Sequence, residues 1–402
     1  MIKIPGVAAV LSALFLSAEA CYAEKLTENL DISGFARVIG GYLSHSSRRF
    51  DGYTNEVSLD EQSLFAVQPS YSFNDKLSVS SQFVAHTSDD RDSGLEWAYL
   101  SYQPSSAWHL RAGKLRTPFF IYSDGYDVGY SYPWVTAPVQ VYNNYLFSNF
   151  NGASASYYHS GNSLAFNLEA YYGYFKGDLF LAGTKLDIET EVENLAGIVA
   201  TINRNNLSLR VSYHQAHNKT EIPNVSQLRS QLYALGYNDS ASSLESSGNV
   251  YALQTSLSYD TLNSFYKAEL MNIVTGFEIA PEVTGYYLMA GRVINDWTLH
   301  ATYSRSEYTS VKVSNELPMP PTGNAQQDIL STAYYQVFAS TPNGSLDSYT
   351  LGTRWDFRIN MALKAETTLL KESQNRSGFF MNSSNESTEN AYLYQVAWEW
   401  IF

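Results

Sequence analysis

Residues 391–402 limit what this chain can fold into more than any other stretch. Tyr392, Tyr394, Val396, Trp398, Trp400 and Phe402 fall on one side of a period-two strand, and Leu393, Gln395, Ala397 and Glu399 on the other. A soluble sandwich buries such an aromatic face against a second sheet and seldom ends the chain on it. A strand with lipid outside and water inside requires that face. An amphipathic strand closing an ordinary β-domain is the alternative on this stretch alone.

The same alternation runs upstream. Leu30, Ile32, Ala36, Val38 and Tyr42 alternate with Asp31, Ser33, Phe35, Arg37 and Ile39, which puts Arg37 on the wet side. Phe65, Val67, Pro69, Tyr71 and Phe73 face away from Gln68, Ser70 and Ser72. Leu164, Phe166, Leu168 and Tyr172 oppose Glu169; Leu207, Leu209, Val211 and Tyr213 oppose Arg210. Tyr349, Leu351, Trp355 and Phe357 oppose Arg354 and Asp356, and Met361, Leu363 and Ala365 oppose Lys364 and Glu366. An Arg or Lys facing lipid at mid-bilayer costs about 2–4 kcal/mol, so these charges belong inside. An inner face that mixes Arg37, Arg210, Lys267 and Lys364 with Glu96, Glu169, Glu269 and Glu366 needs water. A small barrel packed with side chains offers none.

Turn chemistry sets the strand count. Short polar turns fall at 74–76, 104–107, 160–163, 204–206, 260–263, 295–296 and 358–360. Longer loops fall near 45–55, 87–94, 117–146, 175–189, 215–248, 273–282, 306–344 and 370–389. Eight loops and seven turns make eight hairpins, hence an all-β, 16-stranded antiparallel transmembrane β-barrel with both termini on the turn side.

Composition agrees with that reading. The chain holds 32 Tyr and 20 Phe, only 16% charged residues, and a mean hydropathy of -0.24. No linker or composition shift divides 24–402, which reads as one barrel domain. Residues 1–23 read as an export signal: Lys3, an apolar run over 7–16 too short to span a bilayer, then Ala18, Ala20 and Ala23. Cleavage after Ala20 would leave Cys21 first and invite lipidation, but Ala18 stands where a Leu is usual. Cys21 is the single cysteine, so the mature chain forms no disulfide. A net charge of -14 argues against nucleic acid or anionic lipid as the main partner.

The informative middle begins at 108. Arg111, Lys114 and Arg116 lead into Thr117, Pro118, Phe119 and Phe120. Simple alternation splits the three cations between the faces, so a bulge near Gly113, or early departure from the wall, is expected to turn Lys114 and Arg116 inward. Asp124, Tyr126, Asp127, Tyr130, Tyr132 and Trp134 follow, too aromatic for a solvated outer loop. Their rings must be buried, and the lumen is the available place.

With the basic run Gly113, Lys114, Leu115, Arg116, Thr117, Pro118 before a long loop after the fifth strand, and the closing strand ending on Phe402, the chain resembles the general porins of Gram-negative bacteria. The resemblance implies an inward-folded third outer loop carrying Asp124 and Asp127 opposite a basic wall of Arg37, Arg111, Lys114 and Arg116. It implies a homotrimer among outer-membrane lipid and lipopolysaccharide, and passive diffusion of ions and small hydrophilic solutes, with no cofactor or metal. Opposed charges across a narrow passage order water and favour small polar solutes. The short acidic loop tip usual in that family is unmatched, because Tyr126, Tyr130 and Trp134 crowd it, so a substrate-selective channel stays open as an alternative.

Other candidate pore-lining residues are Glu96, Glu169, Arg210, Lys267, Glu269, Arg354, Lys364 and Glu366. Arg354, Asp356, Lys364 and Glu366 read as structural bridges across the last turn. A barrel enzyme is the rival class, with His86, His214 and His300 near the rim. The chain has neither a Gly-Xaa-Ser-Xaa-Gly elbow at a strand-to-helix turn nor His-Glu-Xaa-Xaa-His, and His214 and His217 would sit on opposite faces of a strand. The reading is a channel, not an enzyme.

Overall fold

A computed structural model describes residues 24–88, 90–142, 147–181, 184–309, 311, 313–339, 341–373, 378–382 and 390–402; the expected export signal at 1–23 lies outside them. Sixteen long strands close into one antiparallel sheet, and a short strand, Glu24–Thr27, adds to it by pairing with the first of them. The sixteen are β1 Leu30–Leu43, β2 Leu64–Asn74, β3 Leu77–His86, β4 Gly94–Ser105, β5 Trp108–Arg116, β6 Asn149–Ser160, β7 Ala165–Leu181 and β8 Thr184–Arg204. The second half is β9 Leu207–Thr220, β10 Ser247–Asp260, β11 Ser264–Thr275, β12 Val283–Ile294, β13 Trp297–Tyr308, β14 Ser345–Arg358, β15 Met361–Glu372 and β16 Ala391–Ile401. Each strand pairs with its neighbour in the chain, and β16 closes on β1 through pairs such as Trp398 with Val38 and Glu399 with Arg37. Among the described residues, four α-helices are not part of the sheet: α1 Val139–Tyr142, α2 Pro223–Ala234, α3 Asn238–Ser243 and α4 Ala325–Ala339.

All seven expected turns join the expected strands. Three of them place an Asn with φ of 52–63° (Asn205, Asn295 and Asn360), a left-handed conformation that Asn accepts more readily than other residues with a side chain. Alternation then sorts the side chains. On β16 Tyr392, Tyr394 and Val396 are exposed outward, while Leu393, Gln395, Ala397 and Glu399 are buried inward. The outer wall shows a continuous apolar belt, with Leu351 68%, Val396 58%, Ile198 54% and Leu288 54% exposed. A belt encircling the molecule far exceeds the few hundred Å² of apolar patch that a soluble monomer tolerates, so hydrocarbon must cover it.

Two loop expectations need correction. Residues 175–189 are mostly strand: β7 and β8 run on as a paired ribbon to Leu181 and Thr184. The stretch reads as loop because Lys176, Asp178 and Glu189 interrupt the apolar alternation. These strands, of 17 and 21 residues, far exceed the ~9–11 needed to cross a bilayer, so their ends project beyond it, where charges are solvated. Lys176 and Glu189 pair there at 3.3 Å. The stretches 215–248 and 306–344, expected as plain loops, instead hold α2, α3 and α4 around a small core. Leu228, Leu232, Ala241, Leu244, Leu330 and Tyr334 form its centre.

The outward belt carries a direct test. Leu351 lies mid-strand on β14 facing outward. Leu351→Arg should cost about 2–4 kcal/mol of folding stability in lipid vesicles, read as a lowered urea midpoint.

Candidate functional site

β5 ends at Arg116 and the chain leaves the wall. Thr117 Oγ1 donates to the carbonyls of Phe147 and Ser148 at 3.1 and 3.0 Å, fastening the departing chain to the returning one. Between these points, 117–142 crosses to the opposite wall. Trp134 Nε1 donates to Thr302 Oγ1 on β13 at 2.9 Å, and Tyr142 Oη to Glu269 on β11 at 2.8 Å. Trp134 meets Tyr287 of β12 edge-on, ring centres 5.2 Å apart. Phe120, Tyr132, Trp134, Val135, Val141 and Tyr142 are buried together with Ile39, Leu43, Met271, Met289, Leu346 and Leu393 of the inner wall. One side of the interior is therefore a dry core, as the surplus of aromatic residues in this segment required.

The lumenal cations hold that segment by its backbone. Lys364 Nζ lies 2.8 Å from each of the carbonyl oxygens of Gly129, Tyr132 and Trp134, and 2.6 Å from Glu399. Gly129 has to be glycine here: a Cβ would stand 2.1 Å from a Glu399 carboxylate oxygen. Arg354 donates to the Tyr130 carbonyl at 2.6 Å, stacks on the Tyr130 ring and pairs with Asp356 at 2.6 Å. Arg37 reaches Tyr132 Oη at 3.1 Å and is braced by the Gln62 carbonyl at 3.0 Å. Arg210 holds the root of the segment through the carbonyls of Pro118 and Phe119. Lys267 Nζ donates to Tyr122 Oη, and Glu269 accepts from the Ile121 N–H. Charged donors on main-chain carbonyls are the stronger class of hydrogen bond, and each satisfies a carbonyl that a buried loop would otherwise leave unpaired.

Two residue assignments change. The bridge expected among Arg354, Asp356, Lys364 and Glu366 forms only for Arg354 with Asp356. Lys364 takes Glu399, and Glu366 lies 3.3 Å from His300. The bulge expected at Gly113 is also absent as a register slip, since β5 pairs evenly with β4 from Arg111 to Lys114 and with β6 throughout. Gly113 instead takes φ 140°, and the slip lies between β3 and β4, where Glu96 is the extra residue. That strand geometry brings Glu96 to Arg116 at 2.8 Å, and Arg116 also binds Asp127 at 2.6 Å and the Ser123 carbonyl at 2.9 Å. Lys114 donates to the Leu95 carbonyl at 2.6 Å rather than to an acid of the segment.

The wall facing the segment from β2 to β7 is polar and partly exposed: Gln68, Ser70, Ser80, Ser101, His109, Arg111 and Glu169. Arg111 pairs with Glu169 at 2.6 Å, with 18% and 12% of the two side chains exposed. Asp124 is exposed on the segment and close enough to act electrostatically on both Arg111 and Arg210. Asp127 is buried. Burial alone would raise its pKa, but Arg116 and other nearby cations outweigh burial and hold the carboxyl well below its ordinary value.

Of the histidines, His214 sits 2.7 Å from Tyr171 Oη and 2.8 Å from Ser212 Oγ inside the wall, and His300 beside Glu366. Sequence reasoning missed Glu399 and Gln62 as supports. The first was signalled by its inward parity on β16 beside the Lys364 strand; nothing local marked the second, which reaches Arg37 from a loop.

Two consequences are measurable. Lys364→Met leaves Glu399 buried without its cation and should cost about 3–5 kcal/mol, with part regained in Lys364→Met/Glu399→Gln, read as urea midpoints. For Asp127, a depressed folded pKa stabilises the fold above the ordinary carboxylate pKa of about 3.9, and that contribution fades as pH falls below it. Protease protection of 117–142 should therefore drop with acidification below about pH 4 in the parent chain. In Asp127→Asn it should start lower and stay flat over that window.

No protein-family model matches the chain, and no curated protein sequence matches it. Solved structures do match in fold. The anion-selective porin from Comamonas acidovorans superposes with a TM-score of 0.57 at 12% identity, covering 93% of this chain and 99% of that one. Salmonella typhi OmpF, in complex with daunomycin, gives 0.55 at 13% identity over 93% and 98% of the two chains. The trimer form of Vibrio cholerae OmpT, an outer membrane protein, gives 0.53 at 12% identity over 93% and 99%. At such identities the likeness is one of architecture, and the architecture is that of the closed sixteen-stranded, general-porin type of barrel.

Proposed function

We propose that this chain is a porin-like channel of the bacterial outer membrane through which ions and small hydrophilic solutes diffuse passively. The observation that carries the reading is the divided interior. One side is dry, filled by 117–142 against β11–β16 and β1; the other presents exposed Asp124 to the partly exposed Arg111 and Glu169. Charges left in contact with solvent inside a closed barrel line a wet passage, because desolvating them would cost several kcal/mol each (about that per ion). In this reading Asp124 and Arg111 set the transverse field of the narrow zone. Arg37, Arg116, Asp127, Lys364 and Arg354 keep the segment in place, and Arg210 does both. Assembly in threes among lipid and lipopolysaccharide belongs to the same reading, supported by the trimer form of the Vibrio protein. Catalysis has no part in it.

A second reading, a substrate-selective channel, is favoured by the amount of lumen that the aromatic segment fills. Liposome swelling with sugars of increasing size separates the two: a general channel falls off smoothly with size, whereas a selective one admits few solutes well above that trend.

Charge at the narrow zone is tested in planar bilayers under a salt gradient. A unit charge about 4 Å from a permeating ion in water is worth about 1 kcal/mol. Asp124→Asn should shift the cation-to-anion permeability ratio several-fold toward anions, and Arg111→Gln several-fold toward cations. If neither variant moves the reversal potential or the conductance, ions do not pass between these two residues.

A further inference from the structure

The outer wall is not evenly filled. One row of outward side chains crosses β11 to β14 through the backbone pairs Tyr266 with Ala290, Ala290 with Ala301 and Ala301 with Leu351. Two alanines between a tyrosine and a leucine leave a trough, which Ala268 and Leu288 extend by one row toward the loops. The groove so formed holds about 700 Å³, within the range of roughly 300–1,000 Å³ found for small-molecule sites. Its walls stay open to the outside: Leu351 is 68% exposed, and Leu288 and Tyr266 54% each. Hydrocarbon covers this face, so what enters the trough is a flexible apolar chain.

The two ends of the groove differ in charge. Toward the loops, Arg305 is paired with Asp347 at 2.9 Å and with Glu307 at 3.3 Å, and Tyr303 Oη donates to Asp347 at 2.7 Å. Toward the turns, Arg292 follows Ala290 on the same face of β12, about 7 Å farther along. It is exposed and makes no side-chain hydrogen bond or ion pair among the described residues. Its cross-strand neighbours are Ser264 and Leu299, neither of them an acid. Ser264 opens β11, so Arg292 stands at the turn-side rim of the belt, where lipid headgroups meet the wall. One row nearer the centre, the exposed rings of Tyr259 and Tyr266 face each other across β10 and β11, an apolar body with a polar tip suited to the same layer. A guanidinium without a counter-ion at that height matches two oxygens of a phosphate.

We propose that the trough on β11–β14 is a binding site for one phospholipid of the turn-side leaflet, with its phosphate at Arg292 and an acyl chain over Ala290 and Ala301. The site rests on the hydrocarbon-covered belt and not on conduction. Native mass spectrometry of the full-length folded protein in detergent would use dioleoylphosphatidylglycerol as the probe, with dioleoylglycerol lacking the phosphate and glycerol phosphate lacking the chains. One phosphatidylglycerol should be retained at about a tenth of the concentration that dioleoylglycerol needs, and glycerol phosphate should not be retained. Arg292→Gln should weaken phosphatidylglycerol about tenfold and leave dioleoylglycerol unchanged. Ala290→Leu/Ala301→Leu, which fills the trough with a side chain the belt already carries, should weaken both lipids. Arg204→Gln, at an exposed turn-side cation of β8 that does not border the trough, should change neither. Equal retention of the two lipids by the parent chain, or an Arg292→Gln chain that keeps the preference, would overturn the site. So would loss of an oligomer rather than of lipid in the double leucine variant, which marks the trough as a contact between copies. A parent chain that binds lipid in this pattern and never conducts in bilayers keeps the site and removes the channel.

Discussion

Every other feature of this molecule depends on the ladder between the first and last strands. Pairs from Phe35 with Ile401 to Leu43 with Leu393 join β1 to β16 and leave the sheet without an edge. In hydrocarbon an unpaired strand edge leaves a row of backbone donors and acceptors unsatisfied, at several kcal/mol (about that per group), so a sheet wearing an apolar belt has to close. Closure then defines an inside, and an inside allows Arg37, Lys364 and Glu399 to exist on strands whose other face is apolar.

The interior solves a second problem with the same residues. A loop drawn into the lumen brings backbone carbonyls away from bulk water. Its rings find partners in Tyr287, Met271 and Leu393, but its carbonyls need donors. Lys364, Arg354 and Arg210 supply them from the wall, so most of the basic face is occupied with holding 117–142 in place. What is left to act on a solute is a short set: Asp124, and Arg111 with Glu169. A count of lumenal charges therefore overstates the field a solute meets, because a cation hydrogen-bonded to three carbonyls and a carboxylate is largely compensated.

The sequence was most legible where one rule acts on every residue. Inside-outside parity depends only on position along a strand, and turns depend on local conformers such as the left-handed Asn at 205, 295 and 360. Both could be read without knowing any neighbour, and so the strand number, the seven turns and the inward face of β16 came out as expected. The ribbon at 175–189 did not, because charge above the membrane plane looks the same in a strand as in a loop. The helical cap over 221–246 and 325–339 was missed for a related reason. Its helices are individually weak in pattern and gain their apolar contacts from one another, Leu232 and Ala241 meeting Tyr334 and Phe338 across segments distant in the chain.

At the site the division is sharper. From order alone it followed that a segment rich in Tyr and Trp after a basic strand must be buried, and that Arg37, Arg210 and Lys364 face inward, since both statements follow from the cost of placing a ring in water or a charge in oil. Which acid each cation meets was decided by the closed barrel. Lys364 takes Glu399 because β15 and β16 are adjacent, and Glu366 turns to His300 because barrel curvature brings β13 toward β15 across Gly352, where a side chain would collide with that imidazole. Pair choice is a matter of distances between strands, and distances between strands exist only once the sheet has curled and shut.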